Sequence, residues 1–241
     1  MWGELADLLW RVDCIGCGRV VGADASWDGA TPLRASSTTF GKHLCVECGA
    51  ELALPWQRWD PAVAAVPVLA AGAYGGVRRA LIIEAKERLR PAAQAVAGRV
   101  LAAGIHHAVG CGLITDPRLE PVAMVPAPTR AAMARARGGD VVTAVCREAA
   151  GVLPGLEVVP TLQLDEAVRD SVGLGKAARR ANVAGAVRVD PVAASRLRRF
   201  GEGRVVLVDD VCTTGATLAQ SALALAASGV AVAAGLVLAG A

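Results

Sequence analysis

The stretch VVLVDDVCTTGAT, residues 205–217, constrains the fold more than any other part of the chain. Four apolar residues with the β-branched bias of a buried strand run into Asp209 and Asp210. Thr213, Thr214, Gly215 and Thr217 follow, where an Ala/Leu-rich helical pattern begins. Strand, turn and helix in that order place the backbone N–H groups of 213–217 at a helix N-terminus. Unpaired donors and the positive end of the helix dipole favour an anion there. Gly215 permits positive φ and close backbone approach. The threonines add hydroxyl donors, so Thr213, Thr214, Gly215, Ala216 and Thr217 form a cup that fits a phosphate. Two carboxylates just upstream are wrong for phosphate but right for a sugar diol, whose hydroxyls they accept. The segment is therefore expected to hold a ribose 5-phosphate, with phosphate in the cup and the 2- and 3-hydroxyls on Asp209 and Asp210.

The rest of the chain agrees with such a unit. After Pro61, strand-like apolar runs near 66–74, 121–126, 156–160, 204–208 and 230–238 alternate with helical patterns near 78–87, 91–103, 139–150, 175–181 and 216–228. Gly229 is placed to close the last helix. Alternation of this kind predicts an α/β fold, a mainly parallel sheet covered by helices on both faces. The 241 residues suffice for one such domain plus a small module. A hydrophobic share of 54% with 20% charged residues is globular. A net charge of +3 does not by itself call for nucleic acid.

Residues 1–60 read as a separate module. They hold two cysteine pairs, CIGC (Cys14, Cys17) and CVEC (Cys45, Cys48), with 27 residues between them. Each C-x2-C turn can aim two thiolates at one ion, and four complete a tetrahedron, so a structural Zn²⁺ is expected. His43 is a bystander to four thiolates. LPWQRWDP (54–61) reads as a linker into a second domain, 61–241. Cys111, Cys146 and Cys212 are isolated and read as small hydrophobes. His106 and His107 receive no role. The acidic start of the chain does not suit a signal peptide, and no apolar run approaches the roughly 18 residues of a membrane span. A soluble, cytoplasmic protein is expected.

The run VVLVDD also resembles the Walker B strand of an NTPase, but no G-x4-G-K-[ST] accompanies it. The whole of VVLVDDVCTTGAT resembles the PRPP-binding signature of type I phosphoribosyltransferases. The chain is more closely similar to one branch, the ComF family, which joins an N-terminal zinc ribbon to a phosphoribosyltransferase-like domain. The matching segments are YGGVRRALIIEAKE (74–87), VPAPTRAAMARARGGD (125–140) and RDSVGLGKAARRANVAGAVRV (169–189). RGGD (137–140) stands where members commonly have Arg-Gly-Phe-Asn.

The resemblance implies a Mg²⁺-dependent transfer of a phosphoribosyl group from PRPP to an unknown acceptor. It places Arg130, Arg135 and Arg137 in the loop that meets pyrophosphate, where guanidinium forks neutralise leaving-group charge. A solvated basic helix start is the alternative. It turns Lys86 toward the site, against an ordinary surface pair with a neighbouring carboxylate. It makes 169–182 a loop over PRPP, with Arg180 and Asn182 at its far end, against a plain basic linker. It also implies a rival function. ComF proteins are associated with DNA uptake and competence, so the chain is alternatively a module for single-stranded DNA or competence proteins, with a regulatory or vestigial PRPP site.

Overall fold

The computed structural model describes residues 12–21, 43–129, 140–164 and 187–241. Its centre is a six-stranded sheet in the order β1-β2-β8-β7-β3-β4. The strands are β1 (Gln57–Trp59), β2 (Val68–Ala70), β3 (Val122–Pro126), β4 (Leu156–Val158), β7 (Val205–Cys212) and β8 (Ala234–Gly240). Only the β1–β2 pairing is antiparallel; the others are parallel. A separate antiparallel pair joins β5 (Leu162–Leu164) to β6 (Val187–Val189). Six described helices complete the set: α1 (Val46–Leu52), α2 (Gly76–Lys86), α3 (Pro91–Gly110), α4 (Val141–Val152), α5 (Pro191–Leu197) and α6 (Ala216–Ala227). The expected mainly parallel sheet flanked by helices is present.

Alternate strand residues explain the two layers. Val206 and Val208 of β7 join Met124 and Leu236 in a core with α2, α3 and α4. Val205 and Leu207 join Val125 and Val237 in a second core with α5 and α6. Both sheet faces are thus dry, which is why these strands read as continuous apolar runs.

Several expectations change. Gln57–Trp59, read as part of a linker, pairs with Val68–Ala70 as an edge strand. Three residues give too little alternation to be read, and the edge of β2 supplies the missing hydrogen-bond partners. The helix expected to stop at 103 runs on to Gly110, because Gly104 lets the Trp56 indole lie against the helix; a Cβ there would fall 2.5 Å from the ring. Tertiary packing offsets glycine's poor helix propensity of about 1 kcal/mol. The strand expected to end at 208 continues to Cys212, since β8 extends to Gly240 and pairs with it. α5 was missed, although Asp190 caps it by accepting from the N–H groups of Val192 and Ala193, with Pro191 next. The helix expected near 175–181 lies outside the described residues.

The cysteine segments share the larger core. Ile15, Leu44, Leu52 and Trp56 pack in one cluster with Leu69, Val77, Leu81 and Ile105. No helix among the described residues is long and apolar enough to cross a membrane.

Candidate functional site

β3 leads through α4 outward to β4, while β7 leads through α6 the other way to β8. The chain therefore reverses direction across the sheet between β3 and β7. In open α/β sheets the crevice outside the carboxyl ends of the strands, at such a switch point, is where ligands bind. Asp209 and Asp210 occupy this end of β7.

The two carboxylates stand in the strand itself, not in the turn beyond it. Asp209 pairs in register with Val237. Asp209 Oδ1 accepts from the Asp210 N–H at 2.8 Å, and Asp210 Oδ1 accepts from the Val211 N–H at 2.8 Å. Lys86, the last residue of α2, forms an ion pair with Asp210 through Nζ and Oδ2. The structure brings Lys86 to the carboxylates and not to a neighbour on its own helix. Ile82, Ala85, Val142 and Val145 close a small hollow around these three polar residues. Burial, and then the adjacent Asp210, push the Asp209 carboxyl up to about 8, against the pull of Lys86. Asp209 keeps a proton through most of the neutral range, while Asp210 is ion-paired.

The turn after β7 exposes Thr213 and Thr214 and buries Gly215. Gly215 is the α6 N-cap at φ 81°, a left-handed conformation. Its close approach is to protein: a Cβ there would lie 2.0 Å from the Val63 carbonyl oxygen and 2.8 Å from the Pro61 ring. The Val63 N–H donates to the Thr214 carbonyl at 2.9 Å. Residues 61–63 therefore back the turn, and glycine is required by that backing as well as by φ. Thr214 Oγ1 accepts from the Ala216 N–H at 3.4 Å, so this hydroxyl faces the first turn of α6, which also carries half-buried Thr217.

Beside β7, Ala127 extends β3 by donating to the Val208 carbonyl at 2.7 Å. Thr129 and Asp140 flank the segment 130–139 and are hydrogen-bonded at 2.9 Å. Asp140 also caps α4 through the Thr143 N–H and hydroxyl. The Asp of RGGD thus serves as a helix cap, a role Asn fills equally well. Arg130, Arg135, Arg137 and Arg180 lie outside the described residues.

The second candidate centre is the cysteine cluster. The Sγ atoms of Cys14, Cys17, Cys45 and Cys48 all lie within 4.8 Å of one another. The Cys17–Cys45 Sγ separation is 3.8 Å. A tetrahedral ZnS4 site with Zn–S of about 2.3 Å has sulfurs about 3.8 Å apart, so the set fits zinc. The first pair sits on a tight turn, closed by Gly18 N–H to the Cys14 carbonyl and Cys14 N–H to the Arg19 carbonyl. Cys45 is the N-cap of α1, and its N–H points to Cys14 Sγ at 3.3 Å. Hydrogen bonding by Arg19 lowers the Cys17 thiol to about 6, while burial raises Cys45 and Cys48. Four thiol ligands leave no open position, which is the pattern of a structural site.

One residue of this neighbourhood was missed in the sequence. Arg78 of α2 is buried and hydrogen-bonded to Glu51 and Ala71. The glycines ahead of it in YGGVRR were the available signal, since paired glycines mark close backbone approach. No family model and no curated protein matches the chain.

Proposed function

We propose that the chain is a PRPP-binding phosphoribosyltransferase of the ComF type, with a zinc-bearing cysteine centre. The observation that carries this reading is the Asp209–Asp210–Lys86 group at the switch point of a parallel sheet, followed at once by the hydroxyl-rich turn into α6.

The chemistry follows from the residues. The ribose 5-phosphate would lie on the start of α6, held by backbone N–H groups and the hydroxyls of Thr213 and Thr217. Asp210 would accept from one ribose hydroxyl, and Asp209, carrying its proton near neutral pH, can donate to or accept from the other. Both contacts fix the ring while pyrophosphate leaves C1 and the acceptor attacks, through an oxocarbenium-like state of the kind met in glycoside hydrolysis. The protein's part is positioning and charge stabilisation, with no covalent nucleophile. Among the described residues only the four cysteines gather into a metal-holding cluster, and thiolates suit zinc, not magnesium. Mg²⁺ would be carried by the phosphates of PRPP, which is how proteins commonly meet it. When bound there it neutralises leaving-group charge.

The test is calorimetric titration of the zinc-loaded chain with PRPP and Mg²⁺, followed by a screen of acceptor bases for pyrophosphate release. Saturable PRPP binding that is lost in the Asp209→Asn, Asp210→Asn double variant is expected. No PRPP binding by the wild type, with salt-sensitive binding of single-stranded DNA instead, would replace this reading by the DNA-uptake one.

A further inference from the structure

We infer that Arg78 is a positioning residue for the carboxylate site: it clamps the start of α2 so that Lys86, at the far end of the same helix, stands against Asp210. This rests on the function proposed above only for its PRPP arm.

An arginine whose side chain is 10% exposed needs partners for its buried donors. Arg78 has them on two sides. Nε donates to the Ala71 carbonyl at 2.8 Å, just past β2. Nη1 donates to Glu51 Oε1 at 3.1 Å and Nη2 to the Glu51 carbonyl at 2.9 Å. Glu51 lies on α1, the helix that carries Cys48.

The backbone is shaped around this clamp. Gly72, at φ 148°, lies over the guanidinium, and a Cβ there would sit 2.6 Å from Cζ. Gly76, at φ 46°, faces the Glu51 carboxylate, where a Cβ would be 3.3 Å from Oε1. The neighbouring Val77 presses on the first cysteine turn so closely that a Cβ on Gly16 would lie 2.5 Å from Cγ2. The start of α2 is thus wedged between the cysteine centre and the end of β2.

Lys86 follows Arg78 by eight residues, about 12 Å of rigid helix. Leu81, Ile82 and Ala85 between them are buried, so the helix cannot slide without disturbing the core. Loosening the clamp then acts on Asp210 through the reach of Lys86. Glu51 and Arg78 never touch substrate in this scheme.

A double-mutant cycle separates positioning from plain stabilisation. Arg78→Lys keeps the charge but loses the planar fork; Lys86→Met removes the group through which Arg78 is said to act. The first readout is PRPP affinity with Mg²⁺. The second is the titration midpoint of the Asp209 carboxyl, read by carbon NMR in the zinc-loaded chain without PRPP. Three groups face that carboxyl: Asp210, Lys86 and the Cys212 thiol.

Arg78→Lys should keep one zinc per chain, weaken PRPP about tenfold and raise the Asp209 midpoint as Lys86→Met does. In the Lys86→Met background it should change either readout less than about twofold. The inference is overturned if Arg78→Lys lowers the melting temperature but moves neither readout, or if the two losses multiply in the double variant. Should Arg78→Lys not fold, Glu51→Gln, whose carboxylate is 43% exposed, enters the same cycle under the same criteria. If the wild type does not bind PRPP, the functional reading fails, and the Asp209 midpoint alone decides the role of Arg78.

Discussion

The cysteine centre and the carboxylate edge reach their chemistry by opposite routes. The four thiols come from a tight turn and the first turn of α1, separated by 27 residues, and every ligand is visible as a repeated spacing. The carboxylates and the hydroxyl-rich turn are contiguous in 205–217, yet the carboxylates' cationic partner arrives from 124 positions away. α2 connects the two, with Arg78 against the cysteine module and Lys86 at Asp210. A spacing motif therefore announces its whole site, whereas a contiguous motif announces only the part that the local backbone can hold.

The largest effect should come from breaking the first region. Cys48→Ser should lose the bound metal, by metal analysis, and lower the melting temperature of the whole chain in a single calorimetric transition. The reason is that Cys48 packs in one core with Leu52, Leu81 and Ile105, so metal-binding free energy is spread over the main domain. Two separated transitions would show that the two regions fold independently.

The second region should give a smaller loss that leaves the fold intact. Replacing both Asp209 and Asp210 with Asn should weaken PRPP by roughly 1.5–3 kcal/mol, most of it from the one charged contact, at Asp210. Inorganic phosphate should lose far less, because the proposed cup would hold it through backbone donors and not through the carboxylates. Equal losses for both ligands, in parallel titrations, would remove the division between diol and phosphate subsites.

Gly215→Ala probes the backing of the cup. The left-handed φ and the 2.0 Å approach of Val63 oxygen both oppose a methyl group. Backbone strain of this kind amounts to about 1–3 kcal/mol. Denaturant unfolding should show a loss in that range, with phosphate binding weakened as residues 61–63 shift. Unchanged phosphate affinity would mean that the cup does not depend on that backing.

The last effect is a pH dependence of the unliganded chain. The folded-state value of Asp209, about 8, lies above the ordinary 3.8. Folded protein therefore holds a proton that unfolded protein has released, and this contribution to stability falls as pH rises from about 4 to about 8. Asp209→Asn removes the titration. Its stability relative to wild type should rise across that window and level off above it, as followed by melting temperature. A constant difference from pH 5 to pH 9 would place the Asp209 carboxyl near its ordinary value.

Much of the sheet was legible because strands covered on both faces are apolar where they are covered; β2, β3, β7 and β8 all overlap their expected positions. β1, β5 and β6 were not, because each is exposed or half-buried and carries Gln or Arg, so no apolar run marks it. α1 was hidden inside the spacing of CVEC, where cysteine pairing dominated the reading.

By itself the sequence determined the βα character of 205–217, the grouping of the four cysteines that could hold a metal ion and the alternation that requires a mainly parallel sheet. These follow from periodicity and spacing, which local backbone geometry enforces. Only the tertiary structure decided that Lys86 meets Asp210 and not a neighbour one turn away, that Arg78 ties Glu51 to Ala71, and that Gly215 is pressed by Val63. Each of these depends on how far α2 and the β1–β2 connection are carried across the sheet. That distance is set by packing two layers of side chains, and no window of sequence contains it.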